Sequence, residues 1–230
     1  MEPGKIGVLR INSLDAGEAA DVRARLQDLM KQGAQKIIID LRSVAGGEIQ
    51  EGVTVANLFI QSGALARTIG REQRVLKAFD ADPKVTLFNG PAVVLIDNGT
   101  AGAAEIVASA FVERKRGDVV GEKSFGSGAD QELFTLRDGD GLLLTTVKWA
   151  SASGKPFLGE DRARSGIAPS VEVKRPEAPD AGEVDDTGNE EPQPPTPTAS
   201  PEAPKPPPED LQLKKALELL RDKAPAQRTA

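Results

Sequence analysis

The sequence contains neither cysteine nor histidine among its 230 residues. Without cysteine the chain can form no disulfide, no thiolate metal site and no cysteine nucleophile. Without histidine it lacks Ser-His-Asp and Cys-His catalysis, imidazole metal ligation and the usual general base near neutral pH. Any acid–base chemistry therefore depends on carboxylates, lysines or the chain termini. We predict that the protein uses no metal and no cofactor.

Aromatic residues are also scarce, and acidic residues outnumber basic ones. Aromatics make up 3% of the chain, and its formal net charge is −6 at pH 7. A nucleic-acid-binding protein normally gathers a basic face and aromatic rings that stack on bases, so we predict no nucleic-acid partner. The chain has no run of about 18 apolar residues that would predict a membrane span. Its first residues, MEPGKIGVLRI, lack the basic start and apolar run of an export signal, which by default predicts a cytoplasmic location.

The sequence does contain an alternation of apolar strands and amphipathic helices. KIIIDLR at 36–42 and PAVVLID at 91–97 have the continuous apolar pattern of strands buried on both faces of a parallel sheet. Further strands are predicted at 5–11, 118–122 and 142–151, and helices at 15–32, within 47–63 and at 103–115. Strands that alternate with helices over short connections favour an α/β fold with a mostly parallel sheet.

The composition changes abruptly towards the end of the chain. Residues 174–208 are rich in proline, glutamate and aspartate and have almost no large apolar side chains, which predicts a disordered linker. Beyond it, DLQLKKALELLRDK regains a helical pattern with one apolar face. We therefore divide the chain into a core domain over 1–173, a linker over 174–208 and a helix over 209–224. That helix is too short to be stable alone and is expected to dock on the core or on a partner.

Three glycine-rich turns are candidates for close approach to a ligand. DLRSVAGGEI runs from a buried strand through Gly46 and Gly47 into a helix. Such a turn suits an oxyanion hole or a carboxylate clamp, but this segment alone favours a turn that needs glycine only for its backbone angles. DNGTAGAAEI places small residues at a second helix start. GEKSFGSGADQ carries Ser127 at its tip but lacks the Gly-Lys-Ser/Thr ending of a phosphate-binding loop.

In order and spacing these segments resemble the core of the C-terminal processing peptidases, also called tail-specific proteases. The resemblance covers about residues 4–173 and rests on six ordered motifs, among them IIIDLRSVAGGEIQEGVTVANLFI, VVLIDNGTAGAAEIVASA and VVGEKSFGSGADQ. It implies a ClpP/crotonase-like core of strand-strand-helix units. It also implies a serine peptidase in which a lysine of lowered pKa activates a serine hydroxyl. The implied substrate or ligand is a polypeptide, and the implied location is the cell envelope or periplasm.

The same resemblance implies that both residues of the dyad are substituted. The family's nucleophile falls on Gly102 and its base on Ser127, whereas Gln131 matches the glutamine that orients the lysine. The oxyanion donors fall on backbone N–H groups of the turn at Gly46 and Gly47 and of Ala103. Glycine offers no nucleophile, and a serine hydroxyl is a far weaker base than a desolvated lysine. We therefore expect a catalytically degenerate protein that binds extended peptides or protein C-termini.

Two alternatives stay open. The chain could be an active serine endopeptidase with a relocated pair, for which the nearest candidates are Ser127 with Lys123, and Ser151 or Ser153 with Lys148 or Lys155. It could instead be an interaction protein that acts through its proline-rich tail and end helix.

The sequence also departs from the family pattern outside the dyad. Val44 and Ala45 stand where the family usually has an asparagine followed by a small residue or proline. Members usually carry an export signal and a PDZ domain before the core, and neither is present in this sequence. The first departure predicts an altered oxyanion turn.

Overall fold

The structure is a computed structural model that describes residues 2–137, 139–175, 209–221 and 223. The predicted linker lies outside the described residues except for its first two positions, and it stays a prediction. Within the described residues the elements run in the order β1 Ile6–Arg10, α1 Glu18–Lys31, β2 Lys36–Asp40, α2 Ile49–Asn57, β3 Ala64–Ile69, β4 Val75–Asp80, β5 Ala92–Ile96, α3 Ala103–Glu113, β6 Asp118–Gly121, β7 Ala129–Thr135, β8 Gly141–Ser151, β9 Val171–Glu172 and α4 Leu211–Arg221.

The first sheet is parallel throughout and has the strand order β1-β2-β5-β6-β9. Its central strands β2 and β5 are buried at every residue, which explains their nearly continuous apolar sequences. Successive side chains point to opposite faces. Ile37 and Ile39 join the large core that includes α1, α2 and α3, and Ile38 joins a smaller cluster on the other face. The predicted α/β class with a parallel sheet is confirmed.

Helix α4 covers the second face of the parallel sheet. Its fully buried Ala216 and Leu220 pack in the cluster that contains Ile38. Lys36 Nζ donates hydrogen bonds to the carbonyl oxygens of Leu220 and Arg221 at the end of the helix. Basic side chains stabilise this end because they pair with its unsatisfied carbonyls and with the negative end of the helix dipole.

The start of α4 is held by an ion pair. Both carboxylate oxygens of Asp210 lie 2.8 Å from Nη1 of Arg42, which follows β2. Packing and polar contacts at both ends account for the order of a helix that would be marginal in isolation. None of the described helices is long and apolar enough to cross a membrane.

Replacing Leu220 with alanine is expected to lower the free energy of unfolding by about 2–5 kcal/mol, because a fully buried side chain would leave a cavity against the sheet. The matched control is Leu211→Ala in the same helix. Leu211 is 40% exposed, so we expect a loss of only about 0.5 kcal/mol. Urea denaturation followed by the fluorescence of the single tryptophan, Trp149, measures both. Equal losses would contradict the docking of α4 on the sheet.

The second sheet is antiparallel, with the order β4-β3-β8-β7, and the sequence analysis predicted only β8 of its strands. Only the last four residues of β8, Lys148–Ser151, pair with β3. Its first half pairs with β7 alone, as a two-stranded ribbon with exposed side chains. Strands β4 and β7 are mostly exposed, so they lack the alternation of apolar and polar residues that marks a half-buried strand.

Candidate functional site

The candidate site lies where the chain leaves β2 and β5, at the carboxyl ends of two adjacent parallel strands. Asp97 follows β5 and is 1% exposed. Its Oδ1 accepts the N–H groups of Ser43 at 2.8 Å and of Gly99 at 3.0 Å. The hydroxyl of Thr100 donates to the carbonyl oxygen of Leu41 at 2.9 Å. These side-chain-to-backbone bonds fix the β2–α2 turn against the β5–α3 turn.

Gly102, the predicted nucleophile position, is the N-cap residue of α3. Its backbone has φ 63° and ψ −120°, a conformation that residues with a side chain rarely adopt. A Cβ atom at this position would lie 2.7 Å from the carbonyl oxygen of Gly46. The two turns therefore approach one another as closely as they do because position 102 has no side chain.

The predicted oxyanion donor is already hydrogen-bonded within the protein. The N–H of Ala103 donates to the carbonyl oxygen of Gly46 at 3.0 Å, and the N–H of Ala101 donates to that of Val44 at 2.8 Å. Gly46 is exposed and Gly47 half-buried, and both have left-handed backbones, with φ 77° and φ 85°. An enzyme that stabilises an oxyanion directs free N–H groups at it. Here the carbonyl oxygen of Gly46 occupies the N–H of Ala103, one of the predicted donors.

Glu105 connects the two predicted dyad positions. Its fully buried carboxylate accepts the N–H groups of Gly102 and Ser127 on Oε2, both at 3.0 Å, so these two nitrogens lie within twice that distance of one another. Oε1 accepts the N–H of Gly126 at 2.7 Å and the hydroxyl of Ser124. Burial raises the pKa of Glu105, and this effect exceeds that of the hydrogen bonds, which favour the charged form.

The other two predicted positions are on the surface. The side chain of Ser127 is exposed, and among the described residues only its backbone N–H makes a hydrogen bond. Gln131 lies on β7, also exposed, and its Nε2 reaches the hydroxyl of Thr145 at 3.5 Å. Glu105 therefore holds the backbone of Ser127 close to that of Gly102. The side chain of Gln131, in contrast, contacts Thr145 on β8 and not Ser127.

The relocated pairs do not form in the described part of the chain. Ser151 Oγ lies 3.0 Å from Ser153 Oγ, and the latter donates to Glu113 at 2.6 Å, at the opposite end of α3 from Gly102. The amino group of Lys148 instead donates to a backbone carbonyl oxygen at 3.3 Å. Lys123 likewise donates to a backbone carbonyl. None of these contacts places a lysine as a base on a serine.

Two residues of the site were not singled out from the sequence. Asp97 stands at the end of a strand and is followed by Asn-Gly-Thr, a pattern typical of a side chain that caps its own turn. Ser124 gives no comparable signal. Its hydroxyl donates to Glu105 and accepts the N–H of Ile167 at 2.7 Å, which are contacts between segments distant in sequence.

Comparison with known proteins places this site in a family. Residues 5–173 match the model of peptidase family S41. The carboxyl-terminal-processing protease of Picosynechococcus sp. is 35% identical over 169 residues, which cover 74% of this chain and 39% of that protein. The carboxy-terminal processing protease CtpA of Bacillus subtilis is 34% identical over 180 residues, which cover 77% and 37%. The solved photosystem II D1 C-terminal processing protease has a TM-score of 0.64 at 28% identity, with 76% of this chain and 45% of that chain covered.

The chain thus spans less than half the length of these relatives. The matched residues include both glycine-rich turns, α3 and the Ser127 loop, and they carry the parallel sheet that positions them. This chain belongs to peptidase family S41 and is a C-terminal-processing peptidase-like protein.

Proposed function

We propose that this protein binds extended polypeptides and does not cleave them. The observation that carries the proposal is the carbonyl oxygen of Gly46. It accepts the N–H of Ala103, and it lies 2.7 Å from the place of a Cβ atom at Gly102. A serine peptidase needs a nucleophile, a base and free oxyanion donors at this point. Gly102 and Ser127 supply neither of the first two, and the Gly46 carbonyl occupies one predicted donor.

Features that suit peptide binding lie around the same point. The N–H groups of Gly46 and Gly47 donate to no other group of the described chain, so they are available to a carboxylate or a peptide carbonyl. Strand β7 begins two residues after Ser127 and is an outer strand of its sheet. An outer strand can pair its backbone with an added peptide strand, which holds the peptide without regard to most of its sequence.

A two-part experiment tests the proposal. A fluorophosphonate probe should leave the native protein unlabelled, while the Bacillus subtilis relative serves as the positive control. In parallel, an unstructured peptide with an apolar C-terminus is added to the isotopically labelled protein, and the amide resonances are followed by NMR. We expect the resonances of Gly46, Gly47 and Ala103 to shift.

Each part can overturn its half of the proposal. Labelling that is abolished by Ser127→Ala would establish a relocated nucleophile and an active peptidase. Amide resonances that stay unchanged at high micromolar peptide concentrations would remove the binding role.

A further inference from the structure

A second candidate binding site lies on the antiparallel sheet, in a cavity of about 790 Å³. It is bordered by the turn between β3 and β4, the middle of β8 and the segment that follows β8. This volume falls within the range of about 300–1,000 Å³ that is usual for ligand sites. None of the positions that match the family's nucleophile, base, orienting glutamine or oxyanion donors lines the cavity, although Lys148 and Lys155 from the candidate relocated pairs do.

The lining of the cavity carries excess positive charge in a chain of net charge −6. Its two acidic residues are neutralised locally, since Glu72 lies 3.7 Å from the guanidinium of Arg71 and Glu160 pairs with Arg164. Lys148 and Lys155 form no ion pair with any described residue. Lys148 is half-buried and hydrogen-bonded only to a carbonyl oxygen, so its charge lacks a counter-ion. An acidic ligand would supply one.

The rim of the cavity contains unusual backbone. Glu72 and Gln73 both have left-handed conformations, with φ 55° and φ 59°, although neither is glycine. Such residues cost energy and cluster at binding sites. The strained turn is therefore a second feature, independent of charge, that distinguishes this cavity.

A strip of side chains that ends in two exposed leucines continues from the cavity along the ribbon of β7 and β8. Ala129, Gln131 and Leu133 alternate along β7 and share one face, and their cross-strand partners are Lys148, Thr145 and Leu143. Leu133 is 68% exposed and Leu143 56% exposed. Because Thr145 and Lys148 also line the cavity, this face joins the basic pocket to two uncovered leucines. A two-stranded ribbon is marginally stable in water and would gain from being covered.

We propose that the cavity and the strip together bind a polypeptide segment in which apolar residues adjoin a cluster of carboxylates. The carboxylates pair with Lys148 and Lys155, and the apolar side chains cover Leu133 and Leu143. Positive charge in the pocket selects acidic segments over basic ones, and the leucines select apolar over polar neighbours. The site rests on other observations than the function proposed for the Gly102 region, and the two share only strand β7.

Fluorescence anisotropy of the full chain tests this site. The probe is a fluorescein-labelled peptide with a run of leucines followed by a run of glutamates. Two comparison peptides replace the glutamates with lysines or the leucines with serines. We expect only the leucine–glutamate peptide to bind well, and its affinity should fall as salt rises from about 50 mM to about 300 mM.

Variants assign the binding to named residues. The double replacement Lys148→Gln and Lys155→Gln should weaken binding about fivefold to thirtyfold, since it removes two ion pairs. Leu143→Ser should weaken it about threefold to tenfold through lost apolar contact. The control, Lys31→Gln with Lys115→Gln, makes the same change of charge at exposed positions elsewhere and should have no effect.

Three results would overturn the proposal. They are equal binding of the lysine peptide, equal weakening by the control pair, and absence of binding by the leucine–glutamate peptide. Undiminished binding of the serine–glutamate peptide would remove the strip from the site. Circular dichroism of each variant separates a loss of binding from a loss of folding.

Discussion

Replacing Glu105 with glutamine should lower the free energy of unfolding by about 2–4 kcal/mol. All four groups around the carboxylate are donors: the N–H groups of Gly102, Gly126 and Ser127 and the hydroxyl of Ser124. A glutamine side chain accepts through one atom only and would turn its NH₂ towards two of these groups, of which at least one is a backbone N–H that is left without an acceptor. Urea denaturation measures the loss. Glu113→Gln, at the other end of α3 and bound to exposed Ser153, is the control and should cost less than about 1 kcal/mol.

The loss at Glu105 should also depend on pH. The pKa of this carboxyl is raised above its ordinary value of 4.5, chiefly by burial. The stability that such a group contributes is fully present below pH 4.5 and is lost as the pH rises through the folded-state pKa. Glutamine does not titrate, so the difference in unfolding free energy between the native protein and Glu105→Gln should narrow as the pH rises. A difference that widens instead would mean that the four donors outweigh burial.

Replacing Gly102 with serine should destabilise the protein by about 2–4 kcal/mol. The new Cβ atom meets the carbonyl oxygen of Gly46 at 2.7 Å, and the backbone conformation itself disfavours a side chain. Gly33→Ser separates these causes, because Gly33 also has a left-handed backbone, with φ 93°, but nothing lies within 4 Å of a Cβ atom there. It should cost about 1 kcal/mol. Equal losses at the two positions would contradict the close approach of Gly46.

Restoring both family residues should restore slow cleavage at most. Ser127→Lys alone is expected to be nearly neutral for stability, since the side chain is exposed and only its N–H is used. Combined with Gly102→Ser, it supplies a hydroxyl and an amine, but the Ala103 N–H is free for an oxyanion only if the new Cβ atom displaces the Gly46 carbonyl that now accepts it. Loss of one oxyanion donor typically costs a hundred- to a thousandfold in rate. Mass spectrometry of casein incubated with the double variant checks this, and rapid cleavage would show that the turn moves aside.

The parallel sheet was predictable because burial on both faces leaves a direct mark on the sequence. KIIID and AVVLI are apolar almost throughout, and each forms a strand within its predicted range. The antiparallel sheet left no such mark. Strand β7, ADQELFT, is exposed along nearly its whole length, so its residues were not selected for a buried face. Its pairing with β8 depends on tertiary context that local sequence does not contain.

The positions of the candidate site were predictable, but the direction of its backbone groups was not. The motifs located Gly46, Gly102 and Ala103 in two turns, and the structure joins those turns. Two successive glycines permit many peptide orientations, so residue identity does not determine whether an N–H or a carbonyl faces Ala103. The role of Glu105 was hidden for a related reason. Its partners Ser124 and Ser127 come from a separate loop, about twenty residues away in the chain.

The position of α4 in the chain has a consequence for synthesis. The face formed by Ile38, Val93 and Leu95 is covered by residues 211–221, which are made after every strand of the sheet. While a ribosome is still translating the segment between β9 and α4, the sheet can pair its strands but has one apolar face open to water. An open apolar face promotes aggregation of nascent chains. A newly made molecule therefore stays prone to aggregation through this face until α4 has been synthesised and has docked on the sheet.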